Sequence, residues 1–153
     1  MSVQNGSRQI LIHGMVFVLL GLLWGLVVPH TPHPRLALGA HIQLETNGLL
    51  FIVLATALLA LPRAVGPKSI RVLLAAVWLT GAMAASEVAN AWWGTAQTLP
   101  IAASQAGVSG GQAWQELVVK LAHIGAGLAL IIAWSLLILG FLRYKPAAGS
   151  KEG

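Results

Sequence analysis

Residues 10–28 read ILIHGMVFVLLGLLWGLVV and stop at Pro29, with His13 the one ionisable side chain in the run. An α-helix crosses the hydrocarbon core of a bilayer in about 20 apolar residues, so this stretch alone predicts a membrane span. The same pattern recurs at 38–61, closed by Pro62, at 70–93, and at 113–142. Successive prolines cannot continue a helix, and Pro29, Pro32 and Pro34 therefore mark the first turn. The second turn is the short basic segment around Gly66-Pro67, and the third is a longer, glycine-rich polar loop over 94–112. The expected fold is all-α: one integral-membrane four-helix bundle over residues 1–145. Residues 146–153 are expected to form a polar, disordered tail.

Composition supports a lipid solvent. Only 8% of the 153 residues are charged and 57% are hydrophobic, whereas a soluble domain carries about 25% charged residues. There are no cysteines, which excludes disulfides, thiolate nucleophiles, iron–sulfur clusters and thiolate-held metals. The net charge of +5 does not form a nucleic-acid stripe. Arg8, Arg63, Lys68, Arg71, Arg143, Lys145 and Lys151 fall on one side of a four-span layout, leaving Arg35 and Lys120 on the other. Basic flanks mark the cytoplasmic side, so both termini are expected there. Arg8 precedes the first run without a small-residue cleavage site after it, and that run is expected to stay as a helix. Trp92, Trp93 and Trp114 sit at one predicted interface, as an aromatic belt would.

Function is sought where ionisable or amide groups interrupt the spans, because such groups are expensive in lipid unless they face a partner or a cavity. His13 lies in the first span; His41, Glu45 and Asn47 in the second; Glu87 and Asn90 in the third; Glu116, Lys120 and His123 in the fourth. His41 and Glu45 are four apart and share a helix face that Gly48 continues. This could be a hydrated interfacial histidine pair. It could equally be a neutral imidazole that ligates a metal, with Glu45 supporting it and Gly48 offering a flat patch to a planar ligand. Glu87 and Asn90 share a face that could line a polar cleft, and Asn47 could do the same, although amides also serve as glue between membrane helices. Glu116 and Lys120 are read as an ion pair at the start of the fourth span, leaving His123 deeper. No phosphate loop, HExxH motif or serine-triad order occurs, and the chain has no Asp at all, which argues against calcium sites and paired-carboxylate glycosidases.

Several of these motifs resemble a family of bacterial integral-membrane isomerases, the hydroxylaminobenzene mutases, and more distantly the styrene oxide isomerases. Ile12-His13-Gly14-Met15 resembles their first-helix His-Gly signature. Ala40-His41-Ile42-Gln43-Leu44-Glu45-Thr46-Asn47-Gly48 resembles a second-helix His followed six residues later by Asn-Gly, and Val88-Ala89-Asn90 before Trp92 and Trp93 resembles a third-helix Ala-Asn pair. The resemblance covers nearly the whole chain.

It implies a homotrimer of four-helix protomers in the bacterial inner membrane, binding haem b as a ferric Lewis acid near protomer interfaces. His41 would be the axial ligand, with Glu45 and Gly48 beside the cofactor. Asn47 and Asn90 would face a small aromatic substrate, and Glu87 joins them as a candidate catalytic residue. The third-helix Asp and the Tyr beyond the Asn seen in styrene oxide isomerases are replaced here by Ser86 and Gly94. That departure favours conversion of a hydroxylaminoarene to an ortho-aminophenol over epoxide isomerisation. The competing expectations are a non-catalytic membrane subunit, and a transporter protonated at Glu87 and His123.

Overall fold

A computed structural model of the protein describes residues 1–144. The expected tail, 146–153, lies outside the described residues. Five helices follow in order: α1 Val3–Val27, α2 Pro34–Ala60, α3 Pro67–Trp93, α4 Pro100–Gln105 and α5 Ala113–Arg143. Four of them, α1, α2, α3 and α5, are long and apolar enough to cross a membrane.

The first three long helices start earlier than the apolar runs do, for local reasons, while α5 starts at Ala113 as expected. Ser2 caps α1, its hydroxyl oxygen accepting the Asn5 N–H at 3.2 Å. Pro34, Pro67 and Pro100 stand in the first turns of α2, α3 and α4, where a missing N–H costs nothing and the fixed φ suits the helix. The prolines read as breakers are thus also initiators. Gly94, at φ 65°, ends α3 in the left-handed conformation. The short helix α4 interrupts the loop that the sequence presents as irregular.

The helices do not form a symmetric four-way bundle. α1 packs along α2, α3 lies against both, and α5 packs on α3 alone; no Cα of α5 comes within 8 Å of one in α1 or α2. The core, which includes Ile10, Phe51, Leu58, Ile70, Leu73 and Val77, lies mainly between α1, α2 and α3. The α5 face turned away from α3 exposes Leu121, Ile124, Leu128, Ile131 and Ile138, apolar surface that suits lipid or another membrane helix.

α1 and α2 approach closely at glycines. A Cβ on Gly48 would lie 2.8 Å from the Gly14 carbonyl oxygen and 2.7 Å from Val18 Cγ2, and one on Gly21 would lie 2.7 Å from Glu45 Cγ. At one end of the molecule Gly6 lies against Ile70, and Gly140 against Ala64 and Val65. Arg8, the 63–71 segment and Arg143 are therefore gathered at the same end, as their charges suggested.

Candidate active site

His41 stands on the α2 face that meets α1. Its Nδ1 lies 2.8 Å from the Gly21 carbonyl oxygen. A carbonyl can only accept, so Nδ1 carries the hydrogen and the lone pair belongs to Nε2. Glu45 Oε2 is 3.8 Å from Nε2, beyond hydrogen-bond length, and the His41 side chain is 25% exposed. An imidazole oriented through one nitrogen by a backbone carbonyl, with the other free and accessible, is the arrangement that metal-ligating histidines use. This donor fits an imidazole that would hold a metal-bearing cofactor through Nε2. Gly25 makes room for the ring, since a Cβ there would come within 3.0 Å of His41 Cε1.

Gly48 is not an open patch within the protomer. It is buried where the α1 backbone crosses α2, so glycine at 48 serves helix approach. The signal for this lies in α1: Gly21 and Gly25 are spaced as in GxxxG contacts.

A second polar cluster occupies the other side of α2. Glu87 on α3 is only 2% exposed. Its Oε1 is 2.7 Å from Gln43 Nε2 on α2 and 2.7 Å from His123 Nε2 on α5, so one carboxylate oxygen ties three helices together. His123 Nδ1 donates to the Val119 carbonyl at 2.8 Å. Asn47, half-buried one turn from Gln43, donates from Nδ2 to the Gln43 carbonyl at 2.9 Å. The reading of polar interruptions passed over Gln43; its four-residue spacing from Asn47 was the available signal.

Asn90 is buried on the same helix as Glu87 but is engaged elsewhere. Its Oδ1 accepts the Thr95 N–H at 2.7 Å and ties the loop after Gly94 to the end of α3. Ser86 folds its hydroxyl back onto the Met83 carbonyl at 2.7 Å.

The expected Glu116–Lys120 ion pair does not form. Glu116 is buried, and its carboxylate accepts the N–H groups of Ala96 at 2.8 Å, Gly111 at 3.0 Å and Gln97 at 3.0 Å, while Lys120 is exposed. Buried backbone donors must find acceptors, and the loop supplies three of them to one carboxylate. At that same end Trp93 packs edge-on against Trp114, with ring centroids 5.1 Å apart, and Trp24 packs against Trp92 at 5.7 Å.

His13 at the other end of α1 donates from Nδ1 to Gln9 O at 2.7 Å and meets Trp78 edge-on at 4.8 Å. With Phe17 and Gly81 these residues line an apolar groove of about 570 Å³ between α1 and α3. Among the described residues no three His, Asp or Glu side chains gather to enclose a metal ion.

No solved structure matches the chain. Hydroxylaminobenzene mutase HabB of Ectopseudomonas oleovorans is 29% identical over 92% of this chain and 84% of its own length. Hydroxylaminobenzene mutase HabA of the same organism is 34% identical over 85% of this chain and 94% of its own. The family model described as styrene oxide isomerase matches residues 6–142, from the start of α1 almost to the end of α5, and the chain therefore belongs to the styrene oxide isomerase family and is an isomerase.

Proposed function

We propose that the protein converts arylhydroxylamines of the hydroxylaminobenzene type to 2-aminophenols by moving oxygen within one molecule. The observation that carries this reading is similarity to two hydroxylaminobenzene mutases over nearly the full length of each. The site residues favour it over epoxide isomerisation, the alternative suggested by the family's description. Ser86 spends its hydroxyl on Met83, and Gly94 holds a left-handed backbone that disfavours a tyrosine. Neither position offers the acid or the phenol that resemblance to styrene oxide isomerases calls for.

Haem b is the proposed cofactor; His41 Nε2 would hold it, with Glu45 beside it, and the chemistry it would supply when bound is that of a Lewis acid toward the N–O group. The chain contributes the rest. Gly21 and Gly25 hold the imidazole in one tautomer and orientation. The apolar membrane interior limits water, which would otherwise compete for the activated ring. Asn47 and Glu87 are proposed to face the substrate, and Asn90 to hold the loop that closes this end of the helices.

Geometry also supports assembly. His41 and Gln43 are two residues apart, so they point about 200° apart around α2. The histidine and the Gln43–Asn47–Glu87–His123 cluster thus lie on opposite sides of α2, the cluster enclosed by α3 and α5. The proposed homotrimer would set a cofactor held by His41 of one copy beside the α2–α5 side of another, where that cluster lies. Placement in the bacterial inner membrane is part of this proposal, and the basic residues collected at one end support an orientation with both termini cytoplasmic.

The test is an assay of detergent-purified protein on hydroxylaminobenzene and on styrene oxide, in water enriched in oxygen-18. The expected product is 2-aminophenol without solvent oxygen. Folded protein that makes no 2-aminophenol, or that labels it from water, would overturn the proposal.

A further inference from the structure

The Gln43–Glu87–His123 cluster contains more acceptors than donors. Glu87 Oε1 engages both donor nitrogens of the cluster, with one hydrogen from Gln43 Nε2 and one at His123 Nε2. Glu87 Oε2 and Gln43 Oε1 are both buried with no hydrogen-bond partner. A buried acceptor left unpaired is costly, and here two belong to side chains already joined by a 2.7 Å bond. Beside Oε2 stands Gly39, where even a Cβ would lie 3.3 Å from the oxygen. The cluster spans the gap between α2 and α5, whose backbones stay apart while both flank α3. A ligand bearing two donor hydrogens close together would satisfy both oxygens, and a hydroxylamino group carries an N–H and an O–H on adjacent atoms.

The same cluster can hold a proton. Because His123 Nδ1 already donates to the Val119 carbonyl, one further hydrogen lies between Nε2 and Glu87 Oε1. It belongs to an imidazolium beside a carboxylate or to a carboxylic acid beside a neutral imidazole, with the same heavy-atom contacts either way. The rearrangement needs such a group. As the N–O bond breaks and a C–O bond forms at the ortho carbon, that carbon keeps its hydrogen and the ring loses aromaticity. Restoring it requires the ortho C–H electrons to return to the ring, the C=N pair to move to nitrogen, and a proton to pass from carbon to nitrogen. Carbon is oxidised as nitrogen is reduced, so no outside oxidant or reductant enters.

We propose that Glu87 Oε2 and Gln43 Oε1 receive the N–H and O–H of the substrate, and that Glu87 Oε2 then takes the ortho proton and returns one to nitrogen. Glu87 is the catalytic residue of this step, and Gln43 and His123 are positioning residues that clamp its other oxygen. The inference rests on the reading given under Proposed function.

The experiment uses the full-length protein with hydroxylaminobenzene, unlabelled and deuterated at both ortho carbons. Glu87→Gln keeps the size of the side chain but cannot take the proton. It is expected to lower kcat about 100-fold or more and to raise the ortho-deuterium isotope effect on the remaining turnover. His123→Gln is expected to lower kcat with little change in KM, and Gln43→Leu to raise KM as well. Gly39→Ala, which removes no polar group, is expected to lower kcat/KM by crowding Oε2. Folded Glu87→Gln protein within about threefold of the unmodified enzyme, or slowed with an unchanged isotope effect, overturns the assignment. If Glu87→Gln does not fold, undiminished turnover in both Gly39→Ala and His123→Gln overturns it instead. Absence of 2-aminophenol from the unmodified protein would be different: the reading of the reaction itself would fall, and this inference with it.

Discussion

The imidazole of His41 on α2 is held by the backbone of α1, its Nδ1 donating to the Gly21 carbonyl at 2.8 Å. The ring's tautomer is thereby set by a neighbouring helix rather than by its own. Nε2 is left as the nitrogen available to the proposed cofactor.

Crowding that ring should release the cofactor without removing the ligand. A Cβ at Gly25 would lie 3.0 Å from His41 Cε1, so Gly25→Val must displace the imidazole. Haem retention should fall about tenfold or more, in the range seen when the support of a metal ligand is disturbed. His41→Ala should abolish it. The Soret absorbance per protein measures both, and an unaltered band in His41→Ala would move the ligand elsewhere.

Splitting the proposed site between copies predicts complementation. His41→Ala and Glu87→Gln proteins should each be nearly inactive alone. Co-assembled in equal amounts, they should regain about a quarter of full activity, the share of cyclic neighbour pairs that join an intact His41 to an intact Glu87. Activity that stays at the level of either single variant would show that both residues serve from the same chain.

Gly48 and Gly14 bring two helix backbones together, and side chains there should separate them. With the Gly48 Cβ position 2.8 Å from the Gly14 carbonyl oxygen, Gly48→Ala should cost about 1–3 kcal/mol, as overpacking does. Thermal unfolding in detergent reads this directly. Gly127→Ala, where a Cβ would meet nothing within 4 Å, should change stability by no more than about 0.5 kcal/mol.

Glu116 should matter far more than Lys120. Glu116→Ala leaves three loop N–H groups without their acceptor, a loss of about 2–4 kcal/mol, and should expose the 94–112 loop to protease. Lys120→Ala, at an exposed position, should shift unfolding by no more than about 0.5 kcal/mol. Equal effects from the two would restore the ion-pair reading.

These residues show how far spacing alone can be read. The i, i+4 rule correctly put His41 beside Glu45 and would equally put Glu116 beside Lys120, yet only the first pair approaches, and loosely. The rule describes neighbours on one helix; it cannot count the loop amides competing for the Glu116 carboxylate. Gln43 escaped notice because an amide in a span costs less than a charge, and its importance depends on Glu87, forty-four positions along the chain. Asn90 and Glu87 share a helix face as expected, but one is turned to a loop N–H and the other to two neighbouring helices.

Apolar run length, charge scarcity and the placement of basic residues were enough by themselves to predict four helices long and apolar enough to cross a membrane, gather the charged ends, and mark the costly polar positions, because each follows from the free energy of moving groups between water and hydrocarbon. Only the tertiary structure decided which helix faces which. α1 covers His41 and Gly48, while α3 and α5 enclose Glu87. Pairings of that kind depend on close fit and on hydrogen bonds between distant segments, which no local pattern encodes.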